Sequence, residues 1–236
     1  MAKGKIYMIP TTLGGDSLDI IPENVKQTVI GMRYFIVENI KTARRYLRRI
    51  DRAFPIDDST FFILNKRTDP AEVRGFLKPV FDGHDIGVIS EAGCPGVADP
   101  GALVVGEAHK FKVEVYPMVG PNSILLALMG SGFSGQEFAF HGYLPKERKD
   151  RIRKLRELDQ DSTRTGKTNL FMDTPFRNMN VLEDLLNELP DDSQLCIASD
   201  LTLPDQKTRS MSVKDWRENA YDLAKRPTIF ALGKMQ

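Results

Sequence analysis

Ile86-Gly87-Val88-Ile89-Ser90-Glu91-Ala92-Gly93-Cys94-Pro95-Gly96-Val97-Ala98-Asp99-Pro100-Gly101 is the stretch that decides the fold. Its first four residues are apolar and predict a buried strand. A loop dense in glycine and proline follows, and an apolar-periodic segment begins at Ala102. Strand, held loop and helix in that order form the unit of an open α/β sheet, whose ligands bind beyond the carboxyl ends of the strands. Gly93, Gly96 and Gly101 let backbone approach a ligand closely, Pro95 and Pro100 hold the loop in shape, and Glu91 and Asp99 supply acceptors.

Working outward, the first half of the chain alternates strand-like and helix-like segments, which predicts a largely parallel sheet with helices on its faces. Strands are expected at 6–9, 34–37, 61–64, 86–89 and 113–116, and helices at 24–32, 41–50, 71–81 and 102–110. The turn Pro117-Met118-Val119-Gly120-Pro121-Asn122-Ser123 then separates a strand from an apolar helix at 124–129, which Asn122 or Ser123 is placed to cap. Beyond it, strands are expected at 138–140, 170–172, 195–198 and 229–232, and the polar segment 159–169 reads as a mobile loop. Leu182, Leu185, Leu186 and Leu189 fall on one face of a helix. The expected architecture is two α/β domains, residues 1–118 and 119–236, with a cleft between them.

A chain of 236 residues is long enough for such a pair of cores. Its 33 Lys and Arg nearly balance 32 Asp and Glu, so an anionic partner must be met by a local patch rather than by the overall field. No apolar run approaches the roughly 20 residues of a membrane span, and Met1-Ala2-Lys3-Gly4 does not begin an apolar leader. A cytoplasmic protein with no membrane association is expected. Cys94 and Cys196 are expected as free thiols. Thr11-Thr12-Leu13-Gly14-Gly15-Asp16 lacks the G-x-G-x-x-G spacing of a dinucleotide loop, and no phosphate loop, H-E-x-x-H or C-x-x-C occurs. His84, His109 and His141 are too scattered for a metal site, so none is expected; His141 reads as structural.

Several loops match one family in order and spacing. They are Ile6 to Gly15, Ser90 to Gly101, Val119-Gly120-Pro121-Asn122-Ser123, Phe138 to Pro145, and Asp173-Thr174-Pro175-Phe176-Arg177. Together they resemble the tetrapyrrole-methylase superfamily of S-adenosylmethionine-dependent methyltransferases. The likeness is greatest to the branch that methylates the ribose 2′-hydroxyl of a cytidine in bacterial small-subunit ribosomal RNA. The resemblance implies two α/β domains of the tetrapyrrole-methylase type, a homodimer, and S-adenosyl-L-methionine held in the cleft between the domains. The chain departs from that branch at Thr11-Thr12-Leu13-Gly14-Gly15, at Glu38-Asn39-Ile40-Lys41 in place of Glu-Asp-Thr-Arg, and at Glu91, Val119 and Phe176. These departures bear on the RNA substrate more than on the cofactor.

By the same matching, the cofactor would be met by Pro10, by Ser90, Glu91, Ala92, Gly93, Cys94, Pro95, Val97, Ala98 and Asp99, and by Asn122, Ser123, Met172, Leu201, Pro227 and Thr228. Met172, Leu201 and Pro227 read equally well as core. A ribose hydroxyl is a weak acid, so its methylation benefits from a base or from cations that stabilise an alkoxide. Glu38 is the candidate base and Lys41 its electrostatic partner; helix capping or pairing is the plain alternative for Glu38, and capping for Asp99. RNA would be drawn by two basic runs, Lys41, Arg44, Arg45, Arg48, Arg49 and Arg52, and Lys146, Arg148, Lys149, Arg151, Arg153, Lys154 and Arg156. Two alternatives to an rRNA ribose methyltransferase stand: methylation of a tetrapyrrole, and an inactive cofactor-binding module.

Overall fold

The computed structural model describes residues 3–235. Met1 and Ala2, part of the stretch read above for a leader, and Gln236, the end of the second expected domain, lie outside them. Two compact units meet between Asn122 and Ser123, against a boundary expected at 118/119.

The first unit is built on one sheet of β1 (Ile6–Ile9), β2 (Tyr34–Val37), β3 (Thr60–Ile63), β4 (Ile86–Ile89) and β5 (Val115–Pro117). The order is β3-β2-β4-β1-β5, and every pairing is parallel. All four residues of β4 are buried, as expected of a central strand covered on both faces. Helices α1 (Glu23–Ile30) and α2 (Ile40–Ile50) cover one face, where Val25, Val29 and Leu47 pack on Ile9, Phe35 and Val37. The other face carries α3 (Val73–Phe76), α4 (Lys78–Phe81) and α5 (Gly101–Lys110), with Leu77, Val80 and Val104 packed on Ile6, Ile36 and Val88.

The single helix expected at 71–81 is a broken run: a 3-10 turn over Pro70–Glu72, then α3 and α4 on either side of Leu77. Pro79 lacks an N–H and disfavours helical geometry at the residue before it, so a continuous hydrogen-bond ladder cannot pass through.

The second unit holds a sheet ordered β6-β7-β10-β8-β9, from β6 (Phe138–Tyr143), β7 (Thr168–Met172), β8 (Gln194–Ser199), β9 (Lys207–Ser212) and β10 (Thr228–Gly233). Only β6 and β7 run parallel; the other pairings are antiparallel. Its helices are α6 (Ser123–Ser131), α7 (Arg148–Thr165), α8 (Asn178–Glu188) and α9 (Val213–Asn219). Leu155 and Leu158 of α7, Leu182 and Leu185 of α8 and Trp216 of α9 share a core with Phe171, Ile197 and Phe230.

The loop expected at 159–169 is instead the last turns of α7 and the start of β7. Gly166 takes a left-handed conformation (φ 79°) and caps the helix through a bond from its N–H to the Ser162 carbonyl. The polar residues there are satisfied internally: Asn169 Nδ2 donates to the Leu158 carbonyl and to Ser162 Oγ, while His141 Nε2 lies 2.8 Å from Asn169 Oδ1. His141 is therefore part of a structural network.

Candidate active site

Parallel register places the site. Ile9 and Val37 both stand opposite Ile89, so the residues that leave the sheet after β1, β2 and β4 emerge side by side: Pro10, Glu38 and Ser90. Each loop is then tied to the others. Thr11 N–H donates to the Gly93 carbonyl at 2.9 Å, Thr11 Oγ1 to the Ser90 carbonyl at 3.3 Å, and Ser90 Oγ to the Gly93 carbonyl at 2.9 Å. Tyr46 of α2 donates its hydroxyl to the Pro10 carbonyl at 2.7 Å. Gly120 lies against Pro10 so closely that a Cβ there would come within 2.2 Å of the proline Cβ.

Gly93 is buried and left-handed (φ 73°), and a Cβ on it would stand 3.1 Å from Leu13 Cδ2 and 3.3 Å from the Pro121 carbonyl oxygen. Three loops thus close on that one glycine. Pro95 is buried beside it, Cys94 Sγ faces the Pro121 carbonyl at 3.4 Å, and burial pushes the Cys94 thiol up, away from thiolate chemistry. Glu91, Ala92, Val97 and Ala98 form the exposed rim. Of the expected cofactor residues, the first unit therefore gathers Pro10 and Ser90 to Asp99 into one assembly, with Asn122 at its far end beside Pro121.

Asp99 Oδ1 accepts from the N–H of Gly96 at 2.6 Å and of Gly101 at 2.7 Å, so it holds the loop and satisfies the first N–H of α5, whose cap residue is Pro100. Glu38 shares a small cleft of about 10 Å³ with Asp99, and its Oε1 accepts from the Glu91 N–H at 3.4 Å. Burial raises the pKa of both carboxyls; for Glu38 the hydrogen bond from the Glu91 N–H opposes the shift, while the charges of Asp99 and of the Glu91 side chain add to it.

The cap of α2 is Asn39, whose side chain accepts from the Lys41 N–H at 2.9 Å, so Glu38 is not spent on capping. Among the described residues no ion pair joins Glu38 to Lys41, which is exposed; the cation whose charge opposes the upward shift of Glu38 is Lys66, beyond β3. Thr42, rather than Lys41, reaches toward the loop from α2, with its hydroxyl on Glu91 Oε1. Sequence reading missed Thr42 and Lys66 because neither stands in a matched motif.

In the second unit, Met172 ends β7, Leu201 follows β8 and Thr228 opens β10. The registers Met172↔Ile229 and Ser199↔Thr228 bring them to one end of the sheet, where the Asp200 N–H donates to the Pro227 carbonyl at 2.9 Å. Leu201 and Thr228 are buried, Met172 half-buried and Pro227 exposed; Ser123 opens α6. Next to Met172 and Leu201, two buried polar atoms lack any partner, Asp173 Oδ2 and Thr202 Oγ1. Buried polar atoms are ordinarily paired, so these mark where a polar ligand can be received. An adenosyl amino acid needs backbone groups, apolar slots and hydrogen-bond acceptors, and the glycine-centred assembly of the first unit by itself offers rigid backbone and acceptors of that kind.

Among the described residues no cluster of His, Cys, Asp or Glu has the makings of a metal site, and no helix is long and apolar enough to cross a membrane.

Residues 34–216 match the family of tetrapyrrole (corrin/porphyrin) methylases. A "Ribosomal RNA small subunit methyltransferase I" of Vibrio cholerae is 27% identical over 197 residues, 84% of this chain and 65% of that protein. Its namesake in Halalkalibacterium halodurans is 27% identical over 227 residues, 96% of this chain and 73% of that one. Among solved structures, the methyltransferase CobJ superposes with a TM-score of 0.64 at 17% identity, covering 98% of this chain and 94% of that one. The uroporphyrin-III-C-methyltransferase of Thermus thermophilus gives 0.57 at 16%, covering 98% and 93%. These two likenesses establish the fold.

Proposed function

The chain belongs to the tetrapyrrole (corrin/porphyrin) methylase family, and from that premise we propose that it transfers a methyl group from S-adenosyl-L-methionine to a ribose 2′-hydroxyl of small-subunit ribosomal RNA. The relatives named for that RNA support the acceptor. The observation that carries the chemistry is Glu38, a half-buried carboxylate that caps nothing and carries a raised pKa at the mouth of the glycine-centred loops.

When bound, the cofactor supplies an electrophilic methyl group on a sulfonium. Transfer is an in-line displacement, so the protein's main task is to hold donor and acceptor aligned. The Ser90–Asp99 loop, locked by Thr11, Ser90 and Asp99, offers rigid backbone for the cofactor. Within the second unit, Met172, Leu201, Pro227 and Thr228 gather at one sheet end with the unpartnered Asp173 Oδ2 and Thr202 Oγ1, and are candidate cofactor contacts in their own right.

Glu38 takes the proton from the 2′-hydroxyl as the oxygen attacks. A carboxylate pushed up chiefly by burial is a stronger base than a solvated one. Lys66 offsets part of the carboxylate's negative charge before the proton arrives. The protein works in the cytoplasm as a homodimer, and the exposed apolar residues Leu125 and Met129 of α6 are available for that association.

The test is transfer of labelled methyl from S-adenosylmethionine to small ribosomal subunits, to naked ribosomal RNA and to a tetrapyrrole. Label in RNA at one linkage resistant to alkaline cleavage is expected, with Glu38→Gln slowing transfer by about 10²–10⁴-fold. Label only in the tetrapyrrole moves the acceptor to the flat anionic class. Cofactor binding without any transfer makes the chain a binding module.

A further inference from the structure

A cavity of about 220 Å³ lies beside the site, between the first loop (Thr11 to Asp16), the inner face of α2 and the end of β4. That is several times the roughly 30 Å³ one liquid water occupies. Its wall includes Arg45, Arg49, Thr12, Gly14, Gly15 and Glu91.

Arg49 is the unusual member. Its Nη1 approaches Asp16 Oδ1 at 3.6 Å, beyond hydrogen-bond distance, and that aspartate side chain is 93% exposed and faces only one corner of the guanidinium. Nε and Nη2 are shielded from solvent and have no partner. A buried donor left unpaired costs about 1–3 kcal/mol, more when charged. The Nε–Nη2 edge is also the fork that receives two oxygens of one carboxylate or phosphate. Arg45 stands one turn earlier on α2, and Lys41 one turn before that, so the stripe runs at about 6 Å steps toward the end of the helix nearest Glu38. Lys41 and Arg45 are exposed and have no carboxylate partner among the described residues.

We infer that this cavity seats one phosphodiester of the acceptor RNA, gripped on two oxygens by Arg49 and steered in by Arg45 and Lys41. The inference rests on the reading of RNA as acceptor and adds where its backbone is held. Glu91, tied by its carboxylate to Thr42, is kept from competing for the guanidinium. Asp16 lies on the glycine pair Gly14-Gly15, the second of which is left-handed (φ 66°), so it sits on a segment able to yield to the incoming anion.

The experiment measures fluorescence anisotropy of a short labelled single-stranded RNA across a salt series, with the same oligonucleotide carrying neutral methylphosphonate linkages and with inorganic phosphate as competitor. Arg49→Gln is expected to lose about tenfold in affinity and to flatten the salt slope by about 0.7. Arg49→Lys keeps the charge, so it should keep the slope while still losing affinity, which holds the test open if Arg49→Gln fails to fold. On the neutral backbone, native protein and both variants should bind alike.

Equal affinity and slope for native protein and both variants on the charged RNA overturn the seat and leave the RNA reading standing. Native protein that binds no RNA overturns both. Inorganic phosphate that displaces RNA at equal concentration overturns the phosphodiester in favour of a free-anion site.

Discussion

Helices α2 and α7 look alike in sequence, each crowded with arginine, and the fold uses them in opposite ways. On α7 most of the charges are spent. Arg148 and Arg151 converge on Asp184 of α8 at 2.7–2.9 Å, Arg156 meets Glu188 at 2.6 Å, and Arg153 and Lys154 pair with Asp150 and Glu157 along the helix. On α2 the charges are kept. Arg44 lies over the Phe61 ring, Arg48 bonds only the Arg52 carbonyl, and Arg49 meets one exposed aspartate. A basic run is thus a candidate nucleic-acid surface only after its carboxylate partners have been subtracted, and here the subtraction leaves α2.

The largest expected effect breaks α7. Asp184 has a side chain only 2% exposed, and Arg151, 6% exposed, delivers both Nε and Nη2 to it. Arg151→Met strips the partner from Asp184 Oδ2 and leaves only the exposed Arg148 on Oδ1, which should cost up to about 3–5 kcal/mol in urea denaturation, with RNA affinity of the folded fraction unchanged. Full stability combined with lost RNA affinity would reverse the roles assigned to the two helices.

Next comes neutralisation of α2. Changing Arg44, Arg45 and Arg48 together to Gln should lower affinity for single-stranded RNA about a hundredfold at low salt and reduce the salt slope by about 2, since each phosphate contact on a single strand contributes about 0.7. The matching triple change of Arg153, Lys154 and Arg156 on α7 should stay within about threefold of native, because exposed ion pairs contribute little to anything but each other. Similar losses from both triples would mean that pairing does not decide which helix meets RNA.

Part of this contrast was legible in the sequence. No acid interrupts residues 40–50, whereas Asp150 and Glu157 sit among the arginines of α7. The decisive partners Asp184 and Glu188 are not local, and no periodicity predicts that α8 packs there. The strands of the first sheet were legible because β4 and its neighbours are continuous apolar runs ending at glycine and proline. Residues 207–219 went unread: Lys-Thr-Arg-Ser-Met-Ser has no apolar alternation, being an edge strand paired only with β8, and the short α9 begins at a Ser212 cap that one sequence does not distinguish from a turn. The matched loops gave the glycine-centred assembly. They did not give Thr42, Lys66 or the orphaned edge of Arg49, which depend on which side of α2 faces the loops.

The smallest effect carries the contrast from cations to carboxylates, and its sign is opposite for Glu38, just before α2, and for Asp161 on α7. Burial raises the pKa of Glu38, so the folded chain holds that proton more tightly than the unfolded chain does. Its contribution to stability is whole below the unfolded pKa and is lost as pH rises through the folded one. Glu38→Gln cannot ionise, so at neutral pH it should be more stable than native by about a few tenths of a kcal/mol, after allowance for solvent screening. The gap should close in acid. Asp161 on α7 is lowered instead, chiefly by the hydrogen bond from Asn169, so its contribution is present above the unfolded pKa and lost as pH falls. Asp161→Asn should therefore be less stable than native at neutral pH and converge with it in acid. Thermal melts of the three proteins from neutral pH down through the carboxylate range measure both differences. A Glu38→Gln protein that melts below native at neutral pH would mean that Glu38 is held by favourable partners, as Asp161 is, and would remove it as the strained carboxylate available to act as a base.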